Sequence, residues 1–539
     1  MRKKIDCLFI GHNQLNFSEF EKYAKSMGVN SDAYRDLNLT FIQHDRKLYT
    51  ASEIFSHLYY NEGKVVDEFG HMSIDDTFNT AIAYLGTYLS RRGFSIDYIK
   101  SFQNYKEELE EKLNNSDILT IAIPSTYYLN AMPIIEIIAF IKKYNKAAKI
   151  IIGGPFVATN VRTQSEMVLQ YTFKSIGADF FIFSPEGEGA LAQIIHSLKN
   201  NLPFGSIPNI YYFNFDKRKY VFTSSVQEEN DLETNTVDWE LFKDELGRFI
   251  NIRTAKSCPF SCSFCSFPPF AGKYRMAGIE YVEKELNRIR DLKIIKGINI
   301  IDDTFNVPQE RFKDILKMMI KNKYDFKWYS FFRCQYADKE TVELMKESGC
   351  QLVLLGIESG NQNILKNMNK SATVEQLKNG IELLNEYGIV SVASFITGFP
   401  GDTYDTYLDS FNFIEETKPT FFRSSMWFCD PISPVFKLQE KYKLSGAYHS
   451  WVHATMDSVT AHDLSDRMFK EIKNSIWIKN FELDYTIIFQ MILRGLSLEQ
   501  IKTFMINFNN GIKEKLDNPA NIEVSKEILD HMRNAILSH

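Results

Sequence analysis

Apolar residues recur along this chain in short blocks separated by stretches of helical period. Between residues 6 and 200, the blocks Asp6–Gly11, Phe94–Ile99, Ile118–Pro124, Lys149–Gly154 and Asp179–Ser184 predict strands. They alternate with helical patterns over Asp75–Arg92, Ala131–Lys143, Thr163–Ile176 and Gly189–Leu198, with Gly93 as the stop signal of the first. That alternation predicts a parallel, doubly wound (Rossmann-like) α/β sheet. A second series follows, with strands near 249–256, 297–302, 327–333, 351–357, 390–397 and 421–428. Helical patterns over Tyr281–Asp291, Gln309–Ile320, Lys339–Glu347, Val374–Tyr387 and Tyr404–Glu415 separate them, giving six strand–helix units.

The remaining stretches read differently. Ile207–Phe213 and Tyr220–Thr223 flank the polar Asp216–Lys219 and predict a hairpin. The stretch from Asn13 to about Val66 is aromatic-rich without a simple period, as a lid or extra subdomain would be. Helical periods such as Ser465–Phe481 and Leu498–Phe508 mark the last hundred residues. The expected domains are therefore 1–205 with an insert at about 14–66, a connector at 206–248, a second α/β domain at 249–431 and a helical domain at 432–539.

Composition narrows the classes. The 539 residues are 44% hydrophobic and 24% charged, which are globular values. A net charge of -6 argues against a dedicated nucleic-acid binder. The apolar segments Pro133–Tyr144 and Tyr485–Leu496 are interrupted by Glu136 and Arg494, so no membrane span is expected. Cys7–Ile10 is too short for a signal-peptide core, and a cytoplasmic protein is expected. Of the seven cysteines, Cys7, Cys334, Cys350 and Cys429 are scattered and read as small buried hydrophobes, not as a disulfide framework.

The other three are not scattered. Cys258, Cys262 and Cys265 form a CxxxCxxC cluster with Phe264 before the last, on a loop after the predicted strand from Phe249. Thiolates suit zinc or iron–sulfur clusters. Zinc wants a fourth Cys or His close by, and the next histidine is His449. Three thiolates fit a four-iron cluster whose fourth iron stays open; three reduced structural cysteines are the alternative. Gly153-Gly154 after the fourth strand and Glu186-Gly187-Glu188 after the fifth lie at the carboxyl edge of the first sheet, where glycines admit a bulky ligand. Ordinary turns explain them as well. His12, just after the first strand, is either a ligand or a hydrogen-bonded loop histidine.

The cysteine pattern resembles the radical S-adenosylmethionine (SAM) superfamily, and the preceding sheet resembles the cobalamin-binding domain of its cobalamin-dependent class. The resemblance implies a partial (β/α)6 barrel, a [4Fe-4S] cluster on Cys258, Cys262 and Cys265, SAM, and cobalamin. Gly356-Ile357-Glu358-Ser359-Gly360 resembles the motif that holds the amino group and ribose of SAM, while Asp302 and Arg333 end the second and third barrel strands. Phe395–Gly401 resembles the fifth-strand motif near adenine. Ser125 and Thr126 match where the class contacts the cobalamin tail, but the DxHxxG pattern of other cobalamin proteins is missing.

Ile5–Asn13 and the insert resemble the phosphinate P-methyltransferase (PhpK) family. That likeness implies transfer of a methyl group from SAM through methylcobalamin to an unactivated carbon or a phosphinate phosphorus, in natural-product biosynthesis. A small-molecule, peptide or carrier-bound substrate would be the acceptor, and an electron donor such as flavodoxin or ferredoxin the partner. A cobalamin-dependent cyclisation or rearrangement, and a non-enzymatic cobalamin or metal-binding regulator, are the other readings.

Overall fold

The computed structural model describes residues 2–13, 22, 24–28, 31–128, 130–228, 230–479 and 484–538. The chain divides into two compact units. One holds the N-terminal strand, Phe78–Leu246 and Phe270–Gly272; the other holds the insert up to Thr77, Gly247–Pro269 and Lys273–His539.

In the first unit, strands β1 (Lys3–His12), β2 (Ile96–Ser101), β3 (Ser116–Pro124), β4 (Lys149–Gly153) and β5 (Phe180–Ile182) are joined by helices. They form one sheet in the order β2-β1-β3-β4-β5, all parallel. A strand covered on both faces is apolar throughout, and β4 with its Ile150–Ile152 run is buried accordingly. The hairpin β6 (Ile210–Asn214) and β7 (Lys219–Phe222) pairs antiparallel onto β5. The stretch expected to connect two domains therefore extends the first sheet instead. The predicted helix Thr163–Ile176 starts at Glu166, after Ser165 in an extended N-cap conformation, and a helix that the pattern did not predict, Pro155–Thr163, precedes it.

The second unit contains strands β8 (Phe249–Ile252), β9 (Gly297–Ile300), β10 (Lys327–Phe332), β11 (Cys350–Glu358), β12 (Val390–Thr397) and β13 (Phe421–Met426), side by side and parallel. The helices between them match the expected ones to within three residues at either end. A seventh strand, β14 (Ile476–Trp477), pairs with β13. It lies inside the expected helix Ser465–Phe481, whose end is outside the described residues; the observed helix is Ser458–Glu471, and the chain turns extended at Ile472.

The two sides of the barrel wall can be told apart by contact. Trp328 meets Phe305, which meets Phe312 of the outer helix Gln309–Lys321, so Trp328 and its register partner Ile298 face outward. Alternation then turns Phe249, Gly297 and Tyr329 into the lumen. Helix Asp484–Leu493 closes that end: Phe489 lies 4.8 Å from Tyr329 and 5.6 Å from Phe249, ring centre to ring centre. The last hundred residues are helical as expected, and their helices cluster with the barrel unit. Helices Leu498–Asp517 and Lys526–Leu537 pack with the insert, through Phe504 on Phe55 and the bond from Val524 N–H to the Gln43 carbonyl. The insert thus joins the barrel unit and not the first sheet; its part between Gln14 and Asn30 is largely outside the described residues. No helix among the described residues is long and apolar enough to cross a membrane.

Candidate functional site

The cysteine loop follows β8 and is fixed from several sides. Ser263 donates its N–H to the Met368 carbonyl (2.8 Å) and its hydroxyl to the Asn367 carbonyl (2.7 Å). Asn369 donates to the Ser261 carbonyl at 2.8 Å, and the Cys265 N–H closes a turn onto the Cys262 carbonyl at 3.1 Å. The loop after β11 therefore holds the loop after β8.

Burial pushes the Cys262 thiol up and the Cys265 thiol to about 11, and for each thiol the neighbouring cysteine charges push the same way.

Two cations border the thiols. Arg333 ends β10 and is buried; its Nη2 donates to the Lys370 carbonyl (2.8 Å) and lies 3.8 Å from Cys262 Sγ. Its guanidinium carbon sits 3.5 Å over the Phe260 ring. Its other terminal nitrogen, Nη1, is buried with no hydrogen-bond partner, an orphan donor of the kind that a cluster sulfide or a carboxylate satisfies. Lys370 Nζ pairs with Glu358 Oε1 at 2.8 Å and stands 5.9 Å from the Phe264 ring centre.

Glu358 ends β11 beyond a register shift and has φ +68°, a strained value for a residue with a side chain. Such strain is held where the surroundings over-determine the conformation, and here the Lys370 pair does so. A Cβ on Gly356 would collide with the Glu358 carboxylate and lie 2.8 Å from Lys370 Nζ, so a side chain there would have to displace the pair.

Asp302 behaves otherwise than expected. Both its oxygens are engaged inside the protein: Oδ1 accepts from the N–H groups of Thr254 (2.6 Å) and Ala255 (2.9 Å), and Oδ2 from the Thr254 hydroxyl. It ties the end of β9 to the lead-in of the cysteine loop and positions that loop without facing a ligand. The fifth-strand turn is likewise internally satisfied. Gly398 N–H donates to Asp402, and its carbonyl lies 3.1 Å from His453 Nε2, whose ring stacks on Trp451.

At the carboxyl edge of the first sheet, Ser125 donates both its N–H (2.8 Å) and its hydroxyl (2.7 Å) to the Gly153 carbonyl. Gly154 has φ +106°, and a Cβ there would lie 3.1 Å from Ser125 Oγ. Thr126 is exposed beside Tyr127. This is a cradle of backbone and hydroxyl without charge, which fits a large ligand held by shape. His12 sits at the same edge, flanked by Tyr127 edge-on at 5.2 Å and Tyr128 stacked at 5.9 Å.

The loop after β5 is occupied by the protein itself. Glu228 accepts from Gly189 N–H, from Gly187 N–H at 3.2 Å and from the Ser184 hydroxyl at 3.3 Å. Glu186 and Glu188 both accept from Asn230. In the loop where glycines were expected to admit a ligand, the N–H groups of Gly187 and Gly189 thus bind an internal carboxylate.

Sequence reasoning missed Glu228, Lys370, His453 and Lys256. Lys256 is buried two residues before Cys258; burial, then Arg275, lowers it to about 7. None of the four lies in a motif; Lys256 is a chain neighbour of the cysteines, and contact across the fold gives the other three their part.

Comparison with known proteins fits this geometry. Residues 252–414 match the Radical SAM superfamily. An uncharacterised methyltransferase of Pyrococcus horikoshii is 25% identical over 53% of this chain and 61% of its own length. The anaerobic magnesium-protoporphyrin IX monomethyl ester cyclase of Rubrivivax gelatinosus is 27% identical over 41% of each chain. This chain therefore spans less than two thirds of either relative. Among solved structures, the cobalamin-dependent SAM radical enzyme OxsB with aqua-cobalamin aligns with TM-score 0.55 at 15% identity, over 86% of this chain and 77% of its own. The radical SAM methyltransferase TsrM of Kitasatospora setae, with cobalamin and a [4Fe-4S] cluster, gives TM-score 0.55 at 16% identity, over 68% and 72%. Residues 252–414 thus resemble radical SAM domains, and the fold of the chain is like that of these two solved enzymes.

Proposed function

We propose that the protein is a cobalamin-dependent radical SAM methyltransferase acting on an unactivated carbon or a phosphinate phosphorus. The observation that carries the reading is the set of three thiols on the loop after the first barrel strand, bordered by the orphan Arg333 donor and the buried Glu358–Lys370 pair. When bound, the cluster supplies one electron to the SAM sulfonium, and cobalamin supplies a carrier for the methyl group.

The residues then have distinct tasks. Cys258, Cys262 and Cys265 hold the cluster. Arg333 Nη1 donates to an acceptor beside Cys262. Glu358, fixed by Lys370, accepts from the amino group or ribose of SAM, and Phe264 walls that side. At the first sheet, Ser125, Thr126, Gly153 and Gly154 offer cobalamin a surface of backbone and hydroxyl groups, with His12 and its tyrosines as the polar neighbours on the β1 side.

The likeness to a cyclase favours one other reading, a ring-forming reaction on the same cofactors. Anaerobically reconstituted protein, given SAM, hydroxocobalamin and reduced flavodoxin or a chemical reductant, separates the two. Methyl transfer yields both S-adenosylhomocysteine and 5′-deoxyadenosine, whereas cyclisation yields 5′-deoxyadenosine alone. Absence of both products would overturn the enzymatic reading.

A further inference from the structure

The insert contains a second constellation that the radical SAM chemistry does not use. The hairpin Ile42–His44 with Lys47–Tyr49 is followed by helix Ala51–Ser56, which runs on as a π-helix over His57–Glu62. The Gly63 N–H bonds back five residues to the Leu58 carbonyl at 2.9 Å. Such i→i+5 geometry is rare, is less favourable than the α-helix, and recurs at functional sites. Its effect here is specific: residues five apart come to one face, so His57 and Glu62 both turn toward the hairpin.

Glu62 Oε1 lies 3.1 Å from His57 Nε2 and 3.8 Å from His44 Nε2. All three ligand atoms lie within 4.8 Å of one another. The second oxygen, Oε2, is taken by Arg533, from Nη2 at 2.6 Å and Nε at 2.8 Å. Arg533 thereby orients the carboxylate and leaves Oε1 facing the two imidazoles, as outer partners orient metal ligands. The side chains of His44, His57 and Glu62 retain 16%, 24% and 28% exposure, so the triad is sheltered yet reachable from solvent. Asp45 follows His44, its Oδ2 at 3.7 Å from His44 Nε2.

A simple ion pair needs one imidazole for one carboxylate oxygen. Two imidazoles converging on the same oxygen from separate elements, with the other oxygen already committed, is a ligand geometry. We propose that His44, His57 and Glu62 bind a divalent transition metal of the zinc type, with Asp45 or water completing the coordination. Two imidazole nitrogens and a carboxylate oxygen suit Zn2+, whereas Mg2+ and Ca2+ prefer all-oxygen sets. The metal clasps the hairpin to the π-helix, and Arg533 links that clasp to the last helix. It stabilises the accessory part of the barrel unit and takes no part in electron transfer.

The test uses the protein with its iron–sulfur cluster reconstituted, titrated with ZnCl2 by calorimetry. One equivalent of zinc is expected, with a rise in melting temperature. His44→Ala and His57→Ala should each weaken uptake at least as much as the roughly 10–100-fold known for loss of a mere supporting partner. His57→Gln, which keeps a polar side chain, should do the same with unchanged far-ultraviolet circular dichroism. In the Cys258→Ala, Cys262→Ala, Cys265→Ala triple variant the zinc equivalent should persist, separating this site from the cluster. No uptake by the wild type, unchanged uptake in the His44→Ala, His57→Ala double variant, or loss of uptake in the cysteine variant would each overturn the proposal.

Discussion

Both units of this protein are parallel sheets that expose the carboxyl ends of their strands, yet the two edges are built from different materials. The barrel edge gathers buried charge: Arg333 beside Cys262, and Lys370 against a strained Glu358. At the first sheet, the edge after β3 and β4 has backbone and hydroxyls, Ser125 on Gly153 and the left-handed Gly154. Where that sheet does offer a row of N–H groups, after β5, Glu228 already fills it. A charged edge can hold a small, charged ligand by pairing; an uncharged one can hold only a large ligand by shape. Both edges suit their proposed cofactors for that reason.

The largest effect should come from the thiols. Replacing Cys258, Cys262 and Cys265 together by alanine should abolish iron binding and 5′-deoxyadenosine formation, read by iron content and product analysis, while cobalamin uptake remains. A triple variant that still cleaves SAM would break the comparison at its charged side.

Next is the Glu358–Lys370 pair, whose side chains are 11% and 7% exposed. Glu358→Ala leaves an ammonium buried without its partner, at a cost of about 3–5 kcal/mol. Denaturant melts should show that loss together with reduced SAM cleavage, and Glu358→Gln should show less of both.

The uncharged edge is tested differently. Gly154→Leu forces a side chain into φ +106° and carries backbone strain on the order of 1–3 kcal/mol, so it confounds folding with binding. Thr126→Trp, at an exposed position of the same edge, is cleaner. It should block cobalamin uptake, followed by absorbance, while 5′-deoxyadenosine still forms. Equal loss of both activities would count against a division of labour between the sheets.

A last effect, spread over pH, concerns Asp402 in the fifth-strand turn, which burial pushes up to about 6. A carboxyl raised in the folded state stabilises at low pH and loses that contribution as pH rises through its folded value. Wild-type stability should therefore lose on the order of 3 kcal/mol between the ordinary carboxylate range and pH about 6. Asp402→Asn should show a shallower slope than the wild type in melts taken across pH, with Asp76 and Asp303 still contributing.

The sequence alone determined the two alternating series, because strands buried on both faces must be apolar throughout and their helices amphipathic. Β4, with Ile150–Ile152, and the barrel helix Lys339–Glu347 appear where the pattern puts them. The thiol cluster was equally legible, since its donors are neighbours in the chain. What tertiary structure decided is everything that depends on residues far apart. Lys370 meets Glu358, and Arg333 meets Cys262, only once the strands lie side by side. Asp302 proves to be a brace because Thr254 and Ala255 reach it first. The insert joins the barrel unit because its apolar face, with Phe55, meets Phe504 near the other end of the chain. Periodicity records which face of an element is buried, but carries no information about which partner buries it.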